Sequence, residues 1–328
     1  MHPGCPHDDF RQCSFTTSQR STFRVNGSTV ASPGYFAINL TNTVGAEMTT
    51  TQRTAIYRFT FLPHENVTYR TYQTEFLPSE QLVAHRRTVP SHPLILIDLV
   101  DLSNSRRGGG AQVYEESGRI IGDGTFNPSF GTGEYQAYFC ADFRGAKLRD
   151  SGTFTEGVPV GYPKYIANAD SSFDSPTGTA GAWVQFERTD QVLARVGLSF
   201  ISVDQACANA EEEIPDFDFD RVVEASRIAW GKKLSVIELD ATGVSEETQT
   251  VFWSGLYRSM LSPQNYTGEN PLWNSTEPYY DSFYCIWDSF RAQHPLLTIV
   301  DPVAQAEMVR SLIDIYRFAG ALPGWLVG

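Results

Sequence analysis

Positive charge, cysteine and long apolar runs are all scarce in this sequence. Lys and Arg number 25 against 38 Asp and Glu, a formal net charge of −13. That balance offers no footprint for nucleic acid and no attraction to an anionic membrane, so neither is expected as a partner. A membrane-spanning helix needs about 20 apolar residues in a row. The longest apolar run here, Leu94 to Val100, is interrupted by Asp98. The first residues, Met1-His-Pro-Gly-Cys5, lack the basic and apolar regions of a signal peptide. No stretch repeats at a fixed period. Gly131-Thr-Gly133 lacks the third glycine and the helix of a phosphate-binding loop.

The five cysteines, Cys5, Cys13, Cys140, Cys207 and Cys285, are an odd number, so at least one is free or pairs outside this sequence. His2, Cys5, His7 and Cys13 match no zinc spacing, and the metal set stays unknown. A local Cys5–Cys13 disulfide is the better reading of that cluster.

What is abundant is aromatic: fifteen Tyr and twenty-one Phe. With 328 residues this is a globular composition with enough chain for two domains. Five Asn-X-Ser/Thr sequons stand at Asn26, Asn39, Asn66, Asn265 and Asn274, candidate N-glycosylation sites of a secreted protein. Sequons without a signal peptide lead us to expect that the start of the protein lies outside this sequence.

Residues 22–204 read as strands. Phe36, Ile38 and Leu40 alternate with smaller or polar neighbours, as do Tyr57, Phe59 and Phe61. Tyr69–Phe76 is rich in Thr and Tyr. Leu94–Leu102 reads as a strand buried on both faces, and Gly108–Gly110 as a turn. Val113–Glu116 and Arg119–Ile121 flank a hairpin signal at Ser117-Gly118. Tyr135–Phe143 and Lys147–Phe154 read as an antiparallel pair. A Gly/Pro/Ser-rich loop follows at 157–180, then Trp183–Phe186, then Val192, Val196, Leu198 and Phe200 on one face. Many short strands with turn punctuation predict a large two-sheet antiparallel β-sandwich over residues 1–210.

The period then changes. Asp204–Pro215, with its Glu211–Glu213 run, reads as a solvated acidic linker, and 211–244 as linker and linker helix. In that helix Val222, Val223, Ala225, Ala229 and Leu234 share a face after Asp218 or Asp220. A second helix starts at Ser245, carries Val251, Phe252, Leu256 and Met260, and stops at Ser262-Pro263. A third starts at Asp301-Pro302, carries Met308, Val309, Leu312, Ile313, Tyr316 and Ala319, and ends at Gly320. Residues 245–328 are thus expected to be the start of a truncated α-helical domain. Its apolar faces are expected to lack partners.

Between the last two helices lies Tyr279–Pro295, YYDSFYCIWDSFRAQHP. Flat apolar rings beside carboxylate and guanidinium groups are what a sugar ring needs: a wall for its C–H face and partners for its hydroxyls. Asp281 and Asp288, seven apart, would share one face if this stretch were helical. The competing structural reading is a buried Asp288–Arg291 pair with Trp287 in the core. His294 reads as structural, near a helix stop at Pro295.

The run from Tyr279 through Asp301-Pro302 resembles the glycoside hydrolase family 92 α-mannosidases of the fungal branch. The stretches Glu307–Arg317 and Gly320–Pro323 continue the likeness. So do Ser32–Phe36, Ala46–Thr49 and Tyr57–Phe61, so that it spans most of the chain. The resemblance implies an N-terminal β-sandwich followed by the first helices of an (α/α)6 barrel. It implies an exo-acting, inverting, calcium-dependent α-mannosidase, with α-1,2 preference, secreted and acting on mannose-containing glycans. It assigns Asp288, Trp287 and Arg291 to substrate binding. It places the general acid, the general base and the main calcium ligands beyond Gly328, so that this chain alone is expected to be inactive. The alternative is a non-catalytic carbohydrate-binding or structural β-sandwich protein.

Overall fold

The computed structural model describes residues 9–61, 92–99, 105–128, 133–167, 179–283 and 286–320. The alternating stretches form β2 (Tyr35–Asn39), β3 (Val44–Thr50) and β4 (Thr54–Phe61), a meander edged by β1 (Val30–Ser32). Beyond β4 come β13 (Gln191–Ser199), β8 (Tyr135–Arg144), β7 (Ile120–Phe126), β6 (Arg106–Val113) and β11 (Tyr165–Ile166), completing a nine-stranded antiparallel sheet. A second sheet has the order β10 (Val158–Val160), β9 (Leu148–Thr155), β12 (Ala180–Phe186) and β5 (Leu94–Asp98). Ile120, Phe139 and Val192 of the large sheet meet Ile95, Val184 and Phe186 of the small one in a shared core. The two-sheet sandwich expected from the strand pattern is therefore present.

The small sheet is covered on its outer side as well. Phe10 and Phe15 pack on Trp183 and Phe154, with Leu94 in the same cluster. Successive strand residues face opposite ways, so Leu94 enters this outer cluster and Ile95 the inter-sheet core. That is the physical content of reading this stretch as buried on both faces. Residues 100–102 of it lie outside the described residues, as do Tyr69–Phe76, Asn66, Cys5, Cys285 and 321–328. Cys13 is disulfide-bonded.

Two strand expectations are corrected. β8 and β9 do not pair: β8 lies between β7 and β13 in the large sheet, whereas β9 lies between β10 and β12 in the small one. The chain crosses between sheets through Gly145, whose φ is 110°. Gly108–Gly110 is not a turn but part of β6, paired with Asp123–Thr125 across a register shift. A Cβ on Gly109 would lie 2.4 Å from the Asp123 carbonyl, and one on Gly110 2.7 Å from that of Ile166. The glycines admit this close backbone approach.

Helices cover the outer face of the large sheet. After the single turn α1 (Thr17–Arg20), whose Arg20 pairs with Asp98, the first long helix is α2 (Val203–Glu213). The acidic stretch is therefore helix rather than solvated linker. Ser202 caps it, accepting from the Gln205 amide. Glu213 accepts from the Thr51 hydroxyl (2.5 Å) and the Arg53 amide (2.9 Å), and Glu211 pairs with Arg119 (2.6 Å). A Cys140–Cys207 disulfide ties α2 to β8. A boundary at 210–211 falls inside this helix.

The helix α3 (Phe219–Leu234) follows, with Asp218 as its N-cap. Its covered stripe is Phe219, Val222, Val223, Ser226 and Trp230, and Ala225 and Ala229 are exposed, contrary to expectation. α4 (Glu246–Ser259) is capped by Ser245 and buries Leu256, while Val251 faces out. β14 (Gln264–Asn265) and β15 (Tyr280–Asp281) form a short ribbon. α5 (Ile286–Ser289), α6 (Gln293–Val300) and α7 (Pro302–Ala319) close the described chain, with Asp301 and Gly320 capping α7. Pro295 does not stop a helix. It occupies the first turn of α6, where its missing N–H costs no bond. On α7 the buried stripe is Met308, Ser311 and Ile315, while Val309, Ile313 and Tyr316 are exposed.

Candidate functional site

The stretch singled out in the sequence is built in two parts. β15 pairs with β14 in register Gln264↔Asp281 and Asn265↔Tyr280. Tyr280 is buried, and its amide donates to Ser311 Oγ (2.9 Å). Its hydroxyl donates to Glu307 Oε2 (2.8 Å) and accepts from Asn265 Nδ2 (3.2 Å). Burial, and then the Glu307 carboxylate, push the Tyr280 hydroxyl pKa up. Tyr279 is buried with Trp273 edge-on at 6.1 Å, and burial raises its pKa too.

Ser282 then takes a left-handed φ of 61°. Its carbonyl accepts from Ser262 Oγ (2.8 Å), just before the cis Ser262–Pro263 bond. Phe283 plugs into the helical core beside Leu256 and Leu297. From there the chain enters α5, continued by backbone bonds from Phe290 N to Ile286 O and from Arg291 N to Asp288 O.

Trp287, Asp288 and Arg291 all face solvent on this turn, Trp287 with 58% of its surface exposed. Among the described residues no side chain pairs with the Asp288 carboxylate. Arg291 lays its guanidinium over Phe290 at 5.3 Å. The reading of a buried Asp288–Arg291 pair is therefore corrected: the two share a helical turn, linked by backbone only. An ion pair exposed to water gains little from pairing, so nothing drives these two side chains together here.

Asp281 and Asp288 do not share a helix face either. Asp281 sits on β15 and Asp288 on α5, with the turn at Ser282 between them. Burial raises the Asp281 pKa, partly offset by the Ser282 amide at 2.5 Å. His294 is structural as expected: its Nδ1 lies 3.0 Å from Gln305 Oε1, joining α6 to α7.

A cavity of about 490 Å³ opens elsewhere, between the sheets, lined by Tyr57, Phe59, Phe126, Tyr138 and Phe143 among others. It holds none of the three substrate-binding candidates. Among the described residues no three His, Cys, Asp or Glu side chains converge on a point that a cation could occupy. No calcium-holding set is assigned, and no step below runs through a metal.

Glu269 went unnoticed in the sequence. It lies in the loop between β14 and β15, is 5% exposed, and accepts from Asn209 Nδ2 at 2.6 Å. No motif marks it, because its partners are Arg53, Phe200 and Asn209, far away in the chain.

Comparison with known proteins places this geometry. Residues 1–199 match the glycosyl hydrolase family 92 N-terminal domain, and residues 205–328 the glycosyl hydrolase family 92 catalytic domain. An uncharacterized secreted glycosidase of Arthroderma benhamiae is 42% identical over 295 residues, covering 88% of this chain and 36% of the relative. The chain thus spans little more than a third of that relative. An inverting family 92 mannosidase of Bacteroides thetaiotaomicron superposes with a TM-score of 0.71 at 20% identity, over 94% of this chain and 38% of its own. An α-mannosidase of the same bacterium, solved with mannoimidazole, gives 0.71 at 21% identity, over 94% and 38%. At such identities the structures speak for the fold alone. The matches run through both the sandwich and the helices that carry the Trp287 turn, and the chain belongs to glycosyl hydrolase family 92.

Proposed function

We propose that the chain is the sandwich and one active-site wall of an exo-acting, inverting α-mannosidase. In this reading the enzyme is secreted and calcium-dependent, and releases α-1,2-linked mannose from N-glycans or mannoproteins. Family membership across both domains carries the reading. The secreted relative and the mannosidase neighbours support it. No helix among the described residues is long and apolar enough to cross a membrane.

The Trp287 turn supplies the wall. An exposed carboxylate with no side-chain partner among the described residues is ready to accept bonds from two neighbouring sugar hydroxyls, a role we assign to Asp288. Trp287 offers an apolar face to the ring carbons. Arg291 is four residues on from Trp287, on the same side of the turn, and donates to a further hydroxyl. Inversion needs a protonated carboxyl for the leaving oxygen and a carboxylate to activate water, about 6.5–9.5 Å apart. We assign neither role to this chain.

Two measurements test this. With an aryl α-mannoside and calcium, on the longest form that can be expressed, Asp288→Ala is expected to lower kcat/KM about 10- to 100-fold. That range follows from the ~1.5–3 kcal/mol of a charged hydrogen bond. Unchanged turnover would remove Asp288 from the site. The 328-residue chain is expected to bind mannoimidazole without turnover; turnover by it would overturn our placing of both catalytic carboxyls elsewhere. Sugar binding with no turnover in any form would point to the carbohydrate-binding alternative.

Glycosylation belongs to the same reading. Asn26, Asn39 and Asn274 are exposed and suited to carry glycans. Asn265 differs, because its amide donates to Tyr280 and its carbonyl accepts from the Thr267 amide (2.9 Å). Mass spectrometry after enzymatic deglycosylation is expected to mark the first three and leave Asn265 unmodified. A fully occupied Asn265 would contradict the lock on Tyr280.

A further inference from the structure

The ribbon of β14 and β15 has only two residues per strand. So small a ribbon has no stability of its own. It is held in place by what grips the loop between its strands, and that loop is gripped at both ends.

At one end it is fastened to α7. Trp273 Nε1 donates to the buried Asp314 (2.9 Å), its ring stacks on Phe318 (5.2 Å), and Arg310 pairs with Glu277 (2.7 Å). At the other end it is fastened to the sandwich. Glu269 Oε1 accepts from Asn209 Nδ2 (2.6 Å) and Oε2 from the Phe200 amide (3.2 Å). Arg53 Nε lies 3.2 Å from Oε1, off the hydrogen-bond axis, as an ion pair. Arg53 Nη2 donates to the Thr267 carbonyl (2.6 Å), and Tyr266 sets its ring edge-on to Phe200 at 4.5 Å.

The seat for Glu269 is itself rigidly made. Asn209 sits on α2, donates also to the Leu198 carbonyl (2.9 Å) and is oriented by Gln205 (2.9 Å). α2 is bonded to β8 through Cys140–Cys207. Arg53 is fixed by the bond from its amide to Glu213. A carboxylate buried this deeply is stable only while its partners stay in place, and removing its charge weakens two hydrogen bonds and leaves the Arg53 guanidinium without its ion pair.

We propose that Glu269 is a positioning residue: its clasp on Arg53, Asn209 and Phe200 sets where the sandwich holds the Trp287–Asp288–Arg291 wall. The inference rests on the mannose-site reading for its purpose, but its mechanical part stands independently. Force from the clasp reaches Asp281 through the ribbon, and α5 follows within a few residues.

The test compares wild type with Glu269→Gln, which keeps the shape and removes the charge, and with Arg53→Lys. Peptide-resolved hydrogen exchange and mannoimidazole titration are read together. Both variants are expected to speed exchange selectively in 264–291, leaving β8 and β13 unchanged. Mannoimidazole binding is expected to weaken by about tenfold. Unchanged exchange at 279–291, or loosening spread evenly through the sandwich, would overturn the proposal and leave Glu269 a plain stability contact. Selective loosening in a protein that binds no mannoimidazole would keep the clasp and retire the mannose site.

Discussion

Arg58 shows how single residues dock a helix on a sheet. It grips Glu47 with two bonds (2.6 and 2.7 Å), reaches Asp220 of α3 (2.9 Å) and covers the Phe219 ring at 4.3 Å. Tyr35 donates to the same Glu47 (2.8 Å). The Arg58 guanidinium holds the Glu47 carboxyl below its usual range, whereas burial and then Glu47 push the Tyr35 hydroxyl up to about 12. The signs are opposite. A depressed carboxyl contributes stability that is present above its ordinary pKa of 4.5 and lost as pH falls through the folded value. A raised tyrosine contributes stability that is present below 10 and lost as pH climbs toward about 12. The melting temperature is therefore expected to fall at both extremes. Tyr35→Phe should flatten the alkaline limb and Glu47→Gln the acid one, as scanning calorimetry from pH 3 to about 12 would show. An alkaline limb untouched by Tyr35→Phe would deny that this hydroxyl matters.

Elements were legible where the signal is local. Ser245, Asp218, Asp301-Pro302 and Gly320 each mark a helix end through groups within four residues, and each does so in the fold. Strand partners were not legible in the same way. β8 and β9 are adjacent in sequence and alternate in the same manner, yet nothing local says that they join different sheets. The acidic run was misread for a related reason. Glu211 and Glu213 find Arg119, Thr51 and the Arg53 amide only once β3, β4, β7 and α2 have come together. The same holds for the site: the Trp287 turn stands out by composition, and Glu269 does not, because its chemistry is entirely tertiary. The Cys140–Cys207 bond belongs at this scale, since it pins α2 across a sequence separation of 67 residues. Cys207→Ala is expected to cost about 2–4 kcal/mol of unfolding free energy. Urea titration would check it. A midpoint unchanged from wild type would mean that the Glu211–Arg119 pair and the Glu213 bonds to Thr51 and Arg53 hold α2 without help.

At the scale of the molecule the two halves differ in how fully their elements are covered. The sandwich has helices over its large sheet and aromatic rings over its small one. In the helical part, α7 carries a buried stripe and a second, exposed apolar one. Met308, Ser311 and Ile315 face inward, at spacings of three and four. Val309, Ile313 and Tyr316 form a second stripe at spacings of four and three, each 45% exposed or more. At 100° per residue the two stripes lie well over a quarter-turn apart, so one neighbouring layer cannot cover both. A helix of this kind is built to lie between two layers, and open apolar stripes seek partners. The 328-residue chain is therefore expected to self-associate at micromolar concentration, despite a net charge of −13 that opposes it. Ile313→Lys, at the centre of the stripe, should shift sedimentation toward monomer while leaving the melting temperature nearly unchanged, because its side chain is 45% exposed. The equivalent change at Ile315, which is 4% exposed, should unfold the helical part instead. A wild-type chain that stays monomeric across that range would show that the second stripe is tolerated in water, and that charge outweighs it.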